Sequence, residues 1–153
     1  MTSVTRRSRR WSVVKGPTWI IDTSAFNRLH RGQAYRPDLW KERIDRGLVF
    51  ILSPTRLEIG TLAQSGKERR RLFMIPPLSL LPVEYLTPRI ENRADEVQTQ
   101  LADHGWHRAP GPHDLLLAAA GEILGHTVLH DDRDFELIAE VTGQSVERLE
   151  LTA

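Results

Sequence analysis

Apolar residues along this chain come in short uninterrupted runs, and three of these runs end against hydroxyl or acidic residues. Trp19-Ile20-Ile21 stops at Asp22-Thr23-Ser24, Leu48 to Leu52 stops at Ser53-Pro54, and Thr127 to His130 stops at Asp131-Asp132-Arg133-Asp134. Runs of this length without polar alternation suit strands buried on both faces, as in the parallel sheet of an α/β domain. Between them the spacing turns helical. Pro88 opens a helix through Leu101 with Ile90, Ala94, Val97 and Leu101 on one stripe. Asp114 heads an apolar helix from Leu115 to Leu124 ended by Gly125, and Phe135 to Val141 is helical and stopped by Gly143.

The remaining segments are punctuated in the same way. Ser24 is expected to cap a helix that begins near Ala25, reaches His30 and stops at Gly32. Pro37 or Asp38 opens a second helix ending at Gly47, and Ser53 caps a third with Pro54 first and Leu57, Thr61 and Leu62 on one flank. Pro76-Pro77 breaks the chain before the apolar run Leu78 to Val83, and Val146 to Leu151 is expected as a final edge strand. The alternation predicts one three-layer α/β/α sandwich with a mostly parallel central sheet.

Composition narrows the chemistry. The 153 residues fit one domain, and with no cysteine, disulfides, thiolate catalysis and Cys-based zinc sites are excluded. The longest apolar run, Leu115 to Ala120, is far short of a membrane span, and the N-terminus lacks the apolar segment of a signal peptide, so a cytoplasmic location is expected. The net charge of +1 hides an asymmetry: five of the 21 basic residues and none of the 20 acidic ones fall in residues 1–17. Such an arm can touch phosphate backbones, but the simpler expectation is a disordered leader before a single domain at residues 18–153. Gly66 to Arg71 is a charge cluster, expected as a solvated helix face or loop.

Carboxylates then gather at one address. Asp22 ends the first strand, Glu58 lies little more than a turn past the second, Asp132 lies just past the fourth, and Asp114 opens a helix packed on the sheet. Each alone is an ordinary cap or turn residue. Parallel strands joined by right-handed crossovers, however, bring all four to one rim. Four carboxylates there need a counter-charge, and an oxygen-only set selects Mg²⁺ or Mn²⁺. The chemistry that uses such a cluster is phosphoryl transfer to water.

Ile20-Ile21-Asp22-Thr23-Ser24, Arg56-Leu57-Glu58, His107-Arg108 with Asp114 to Ala120, and Thr127 to Ala139 together resemble PIN domains, and more narrowly VapC-type toxins of bacterial toxin–antitoxin systems. The likeness runs from Thr18 to Leu149 and is most specific from His107 to Gly143. It implies a Mg²⁺-dependent endoribonuclease, with Mn²⁺ able to substitute. It also implies a homodimer silenced by a small antitoxin whose Arg or Lys tail enters the acidic pocket. The family's quartet falls on Asp22, Glu58, Asp114 and Asp132, with Asp134 as auxiliary metal ligand and Thr23 or Ser24 at the small hydroxyl position. In this scheme Asp22, Asp114 and Asp132 hold one or two ions, and Glu58 ligates the second or orients water.

The chain departs from the family in three places. It carries the basic extension 1–17; His113 stands where an apolar residue or Pro is expected; and Asp131 adds a carboxylate to the fourth motif, with Asp132 preferred because it keeps Asp-Arg-Asp-Phe in register. Two competing readings are a degenerate domain kept as an RNA- or protein-binding module, and a His/Asp metal phosphohydrolase using His104, His107, His113-Asp114 and Asp132. The second requires an all-helical bundle.

Overall fold

The computed structural model of the protein describes residues 16–106 and 110–153. The strands are largely as the apolar runs predict: β1 (Trp19–Ile21), β2 (Val49–Leu52), β3 (Val83–Glu84), β4 (Thr127–His130) and β5 (Val146–Arg148). They form one sheet in the order β3-β2-β1-β4-β5, and every neighbouring pair is parallel. Seven α-helices connect them among the described residues: α1 (Thr23–His30), α2 (Pro37–Asp45), α3 (Ser53–Gly60), α4 (Gly66–Met74), α5 (Pro88–Asp103), α6 (Pro112–Leu124) and α7 (Arg133–Thr142).

Alternate strand residues feed opposite cores, which is why β1 and β2 show no polar positions. Trp19, Ile21, Val49, Ile51 and Leu129 join Phe26, Trp40, Ile44 and Ile59 on one face. Ile20, Leu52 and Val128 join Ile90, Val97, Leu117 and Phe135 on the other. The sheet is therefore the middle of three layers. The stripe Ile90, Ala94, Val97, Leu101 is buried as its spacing predicts. Gly125 and Gly143 end α6 and α7 at φ 77° and 69°, the left-handed conformation that suits glycine at a helix end. Gly121 serves a different need: a Cβ there would meet Val128 Cγ2 at 2.9 Å and the His126 carbonyl at 3.3 Å, so its absence lets α6 lie close on β4.

Several expectations are corrected. Asp22, not Ser24, caps α1, because its carboxylate accepts the Ser24 N–H and starts the helix at Thr23. The third helix begins at Ser53 with no side-chain cap, and its core side is Thr55 and Ile59. The flank shared by Leu57 and Leu62 is not a core face, since the two are 67% and 61% exposed. Leu78 to Val83 is mostly a 3₁₀ turn at Leu78–Leu80, leaving β3 two residues, since Leu81 and Pro82 carry the chain between them. Helix α6 starts earlier than expected, with Pro112 in its first turn. The last strand is shorter than Val146 to Leu151; Leu151 instead makes an isolated antiparallel bridge to Ala34. The Arg-rich cluster is a solvated helix, α4, with no buried residue. No helix among the described residues is long and apolar enough to cross a membrane. The five-stranded sheet rules out the all-helical bundle that a His/Asp phosphohydrolase would need.

Candidate metal centre

The rim at the carboxyl ends of β1 and β4 is where helix starts meet. Asp22 follows β1 and caps α1, Asp132 follows β4 and caps α7, and Asp114 sits in the first turn of α6. Each spends one oxygen on the backbone. Asp22 Oδ2 accepts from the Ser24 N–H at 3.1 Å, Asp132 Oδ1 from the Asp134 N–H at 3.0 Å, and Asp114 Oδ2 from the Gly111 N–H at 3.3 Å. These bonds satisfy donors that a helix start leaves unpaired and fix the direction of each side chain. Capping and presenting a carboxylate are thus compatible roles, because the second oxygen stays available.

The acids fall into two groups. Carboxylate oxygens of Asp114, Asp132 and Asp134 lie within 4.8 Å of one another. Asp22 and Glu58 lie instead to either side of His113, whose Nε2 is 3.7 Å from Asp22 Oδ1 and 3.3 Å from Glu58 Oε2. The first contact is an ion-pair distance rather than a hydrogen bond. Glu58, on α3, is the most open of the set, its side chain 49% exposed.

Their proton affinities follow this grouping. Burial pushes the Asp114 carboxyl up to about 6; the Gly111 N–H and the nearby His113 pull it down, but the charges of Asp22 and Asp132 add to the rise. Asp134 is also raised, by partial burial and then by Asp132, against the pull of Arg133. Burial would raise Asp22 too, yet His113 and the two Ser24 donors outweigh it and hold this carboxyl below its usual value. His113 is raised in turn, by its contact with Asp22 and the charges of Glu58, Asp22 and Asp114, against burial.

Asp131 does not join the cluster. Arg28 Nε pairs with its Oδ2 at 2.9 Å and Arg148 Nε with its Oδ1 at 3.4 Å, so both oxygens face guanidinium groups. Its N–H donates to Ser24 Oγ at 3.0 Å, and the same hydroxyl donates to Asp22 Oδ2. Ser24 therefore ties the end of β4 to the end of β1. The hydroxyl of Thr23 is buried without a partner among the described residues. His104 lies at the end of α5 against Gln100 and Trp106, and His107 and Arg108 lie outside the described residues. His130 is buried between Phe26 and Phe135, and its Nδ1 accepts the Asp132 N–H at 3.2 Å. Neither the Ser24 link nor this His130 contact shows in the sequence. The one signal for His113 is its presence beside Asp114 in place of an apolar residue.

The donor set suits a hard divalent cation. Three carboxylates with raised or crowded charge, all oxygen and no sulfur, give the charge excess that such an ion relieves. Among the described residues no Lys, Arg or His lies within salt-bridge distance of Asp114, Asp132 or Asp134.

Comparison with known proteins gives a consistent picture. A family model described as PIN domain matches residues 19–141. Ribonuclease VapC2 of Mycobacterium tuberculosis (strain CDC 1551 / Oshkosh) is 57% identical over 133 residues, covering 86% of this chain and 92% of that protein. Ribonuclease VapC21 of Mycobacterium tuberculosis (strain ATCC 25618 / H37Rv) is 39% identical over 131 residues, covering 84% and 91%. Among solved structures, a chain of VapBC2 from Rickettsia felis bound to a promoter DNA fragment aligns with a TM-score of 0.68 at 13% identity, over 87% of this chain and 99% of that one. A chain of DNA-bound VapBC from Salmonella typhimurium aligns with a TM-score of 0.65 at 20% identity, over 87% and 98%. At those identities the structural likeness speaks for the fold alone.

Proposed function

The chain belongs to the PIN domain family, and on that premise we propose that it is a VapC-type ribonuclease, the toxin of a toxin–antitoxin pair, hydrolysing RNA phosphodiester bonds at its acidic rim. The observation that carries the reading is the meeting of Asp114, Asp132 and Asp134 within 4.8 Å, with Asp22 close enough to raise Asp114. Asp22, Glu58, Asp114 and Asp132 form the catalytic quartet, with Asp134 as auxiliary ligand. The ion is Mg²⁺, replaceable by Mn²⁺, since small carboxylate sites beside a phosphate substrate suit those ions. When bound, the ion supplies Lewis acidity to the scissile phosphate and a more acidic water.

The protein's own groups do the positioning. Asp22, held ionised, keeps its charge throughout the neutral range, with its Oδ1 3.7 Å from His113 Nε2. The starts of α1, α6 and α7 present backbone N–H groups and positive dipole ends to the same rim, a field that favours a phosphate as it favours the carboxylates. The crowding of negative charge around Asp114 also fits a partner: an antitoxin tail carrying Arg or Lys would neutralise it as a cation does. A homodimer is the assembly we expect, and the cytoplasm the location.

The test is cleavage of several structured RNAs by the wild type with Mg²⁺ or with EDTA, and by Asp22→Asn with its melting curve. Cleavage that needs Mg²⁺ and is lost in a folded Asp22→Asn is expected. Cleavage undiminished by EDTA overturns the metal-dependent reading. No cleavage by the folded wild type favours a degenerate RNA- or protein-binding module.

A further inference from the structure

Asp131 is the carboxylate of the fourth acidic motif that the metal centre leaves unused. Its side chain is only 10% exposed, and both oxygens face arginines from other parts of the chain. Arg28 comes from the last turn of α1, and Arg148 from the end of β5, in register with His130. Each guanidinium is fixed at a second point. Arg28 Nη1 donates to Gln33 Oε1 at 3.0 Å, and Arg148 Nη1 to Glu136 Oε1 at 3.4 Å. Nη2 of each has no hydrogen-bond partner among the described residues, and the two side chains stay 40% and 53% exposed. Exposed ion pairs add little to stability. What this arrangement does achieve is to fix the direction of two cations over one covered carboxylate.

Their location gives that direction a use. Asp131 adjoins Asp132, consecutive Cα atoms being about 3.8 Å apart, and its N–H is bonded to the Ser24 hydroxyl that also holds Asp22. The arginine pair therefore borders the acid cluster on its β4–β5 side. In the sheet β1 lies between β2 and β4, so the border on the other side of Asp22 is α3, which follows β2 and presents the half-exposed Glu58. A polyanion crossing the rim meets a carboxylate on one side and two oriented guanidiniums on the other.

We propose that Arg28 and Arg148, braced by Asp131, form a subsite for a backbone phosphate of single-stranded RNA next to the bond that is cut. A planar guanidinium edge matches phosphate oxygens. Such contacts set the register of a strand and carry no base information, so the subsite orients the RNA without choosing its sequence. The inference rests on the RNA-cleaving reading above and assigns that rim the side on which the strand runs.

The test follows the fluorescence anisotropy of a short labelled single-stranded RNA over a range of NaCl concentrations. All proteins carry Asp22→Asn, and a gel checks that the strand stays whole. Arg28→Gln and Arg148→Gln are each expected to weaken binding about 10-fold. Each should reduce the slope of log affinity against log salt by about 0.7, and the double variant by about 1.4. Arg28→Lys keeps the charge, so the slope should hold while part of the affinity is lost. Asp131→Asn adds positive net charge yet releases both guanidiniums, and weaker binding is expected. Melting curves accompany every variant, and Arg148→Gln, at the more exposed position, decides alone if Arg28→Gln is unfolded. Unchanged affinity and slope in a folded arginine variant overturn the proposal, whether or not its melting temperature falls. Tighter binding by Asp131→Asn overturns it as well. RNA that is bound with these slopes but left uncut by the wild type leaves the subsite standing and removes only the nuclease reading; RNA that is cut but bound without them does the reverse.

Discussion

Asp22 and Asp114 occupy one rim and both bond to backbone at a helix start, yet their carboxyls are displaced in opposite directions. Burial does not explain the contrast: Asp22 is only 4% exposed and is lowered, while the less buried Asp114 is raised. What differs is the company. Asp22 has a histidine on one oxygen and two Ser24 donors on the other. Asp114 has one backbone donor, distant help from His113, and two like charges. One half of the rim is held by side chains already present, and in the other half no basic side chain of the described residues pairs with Asp114, Asp132 or Asp134.

The sharpest way to break this comparison is to remove one acid from each half. Asp132→Asn should lower RNA cleavage on the order of 10²–10³-fold, the usual loss when a group stabilising transition-state charge is removed. Glu58→Gln, at the more open end, should cost about 10-fold less than that. Equal losses in steady-state kinetics would mean the two halves act as one.

Next in size is stabilisation by the ion. Mn²⁺ at about 100 times its dissociation constant should stabilise the fold by about 2.7 kcal/mol, raising the melting temperature of the wild type and of Glu58→Gln. In Asp114→Asn the rise should vanish; a full shift there would place the ion elsewhere.

Gly121→Ala probes the support beneath Asp114. The added methyl would meet Val128 and the His126 carbonyl, forcing α6 off β4. A loss of about 1–3 kcal/mol is expected in denaturant titration, together with weaker Mn²⁺ binding because Asp114 rides on that helix.

The smallest effect is in pH. The folded value of about 6 for Asp114 lies above its ordinary 3.8, so the folded state binds this proton more tightly. Its contribution is full below about pH 4 and is lost as pH rises to about 6. In EDTA, Asp114→Asn should therefore melt higher than the wild type at pH 7.5, by about 1 kcal/mol after allowing for solvent screening at a half-buried site. The two curves should converge near pH 4.

Much of this architecture was legible in residue order. The uninterrupted runs of β1, β2 and β4 announced strands with two buried faces, and Gly125 and Gly143 marked helix ends that the backbone confirms. Leu57 and Leu62 misled because helical spacing says which residues share a flank, not whether that flank meets a core. Leu78 to Val83 misled because an apolar run of that length fits a strand or a turn equally well, and Pro82 interrupts it. At the rim, topology placed the four acids together, but their division into two groups depends on His113, whose reach across to α3 no spacing rule contains. The pairing of Asp131 with Arg28 and Arg148 is equally invisible, since those partners are 103 and 17 residues away.

The single hydroxyl of Ser24 bonds to both the Asp22 carboxylate and the Asp131 N–H. The spacing between the chain's first acidic loop and its last is therefore set while the sheet assembles, before any ligand arrives. Replacing that one oxygen with hydrogen would leave strands and helices intact and still allow the two loops to drift, so tolerance at position 24 should be judged by the sharpness of ion binding rather than by whether the protein folds.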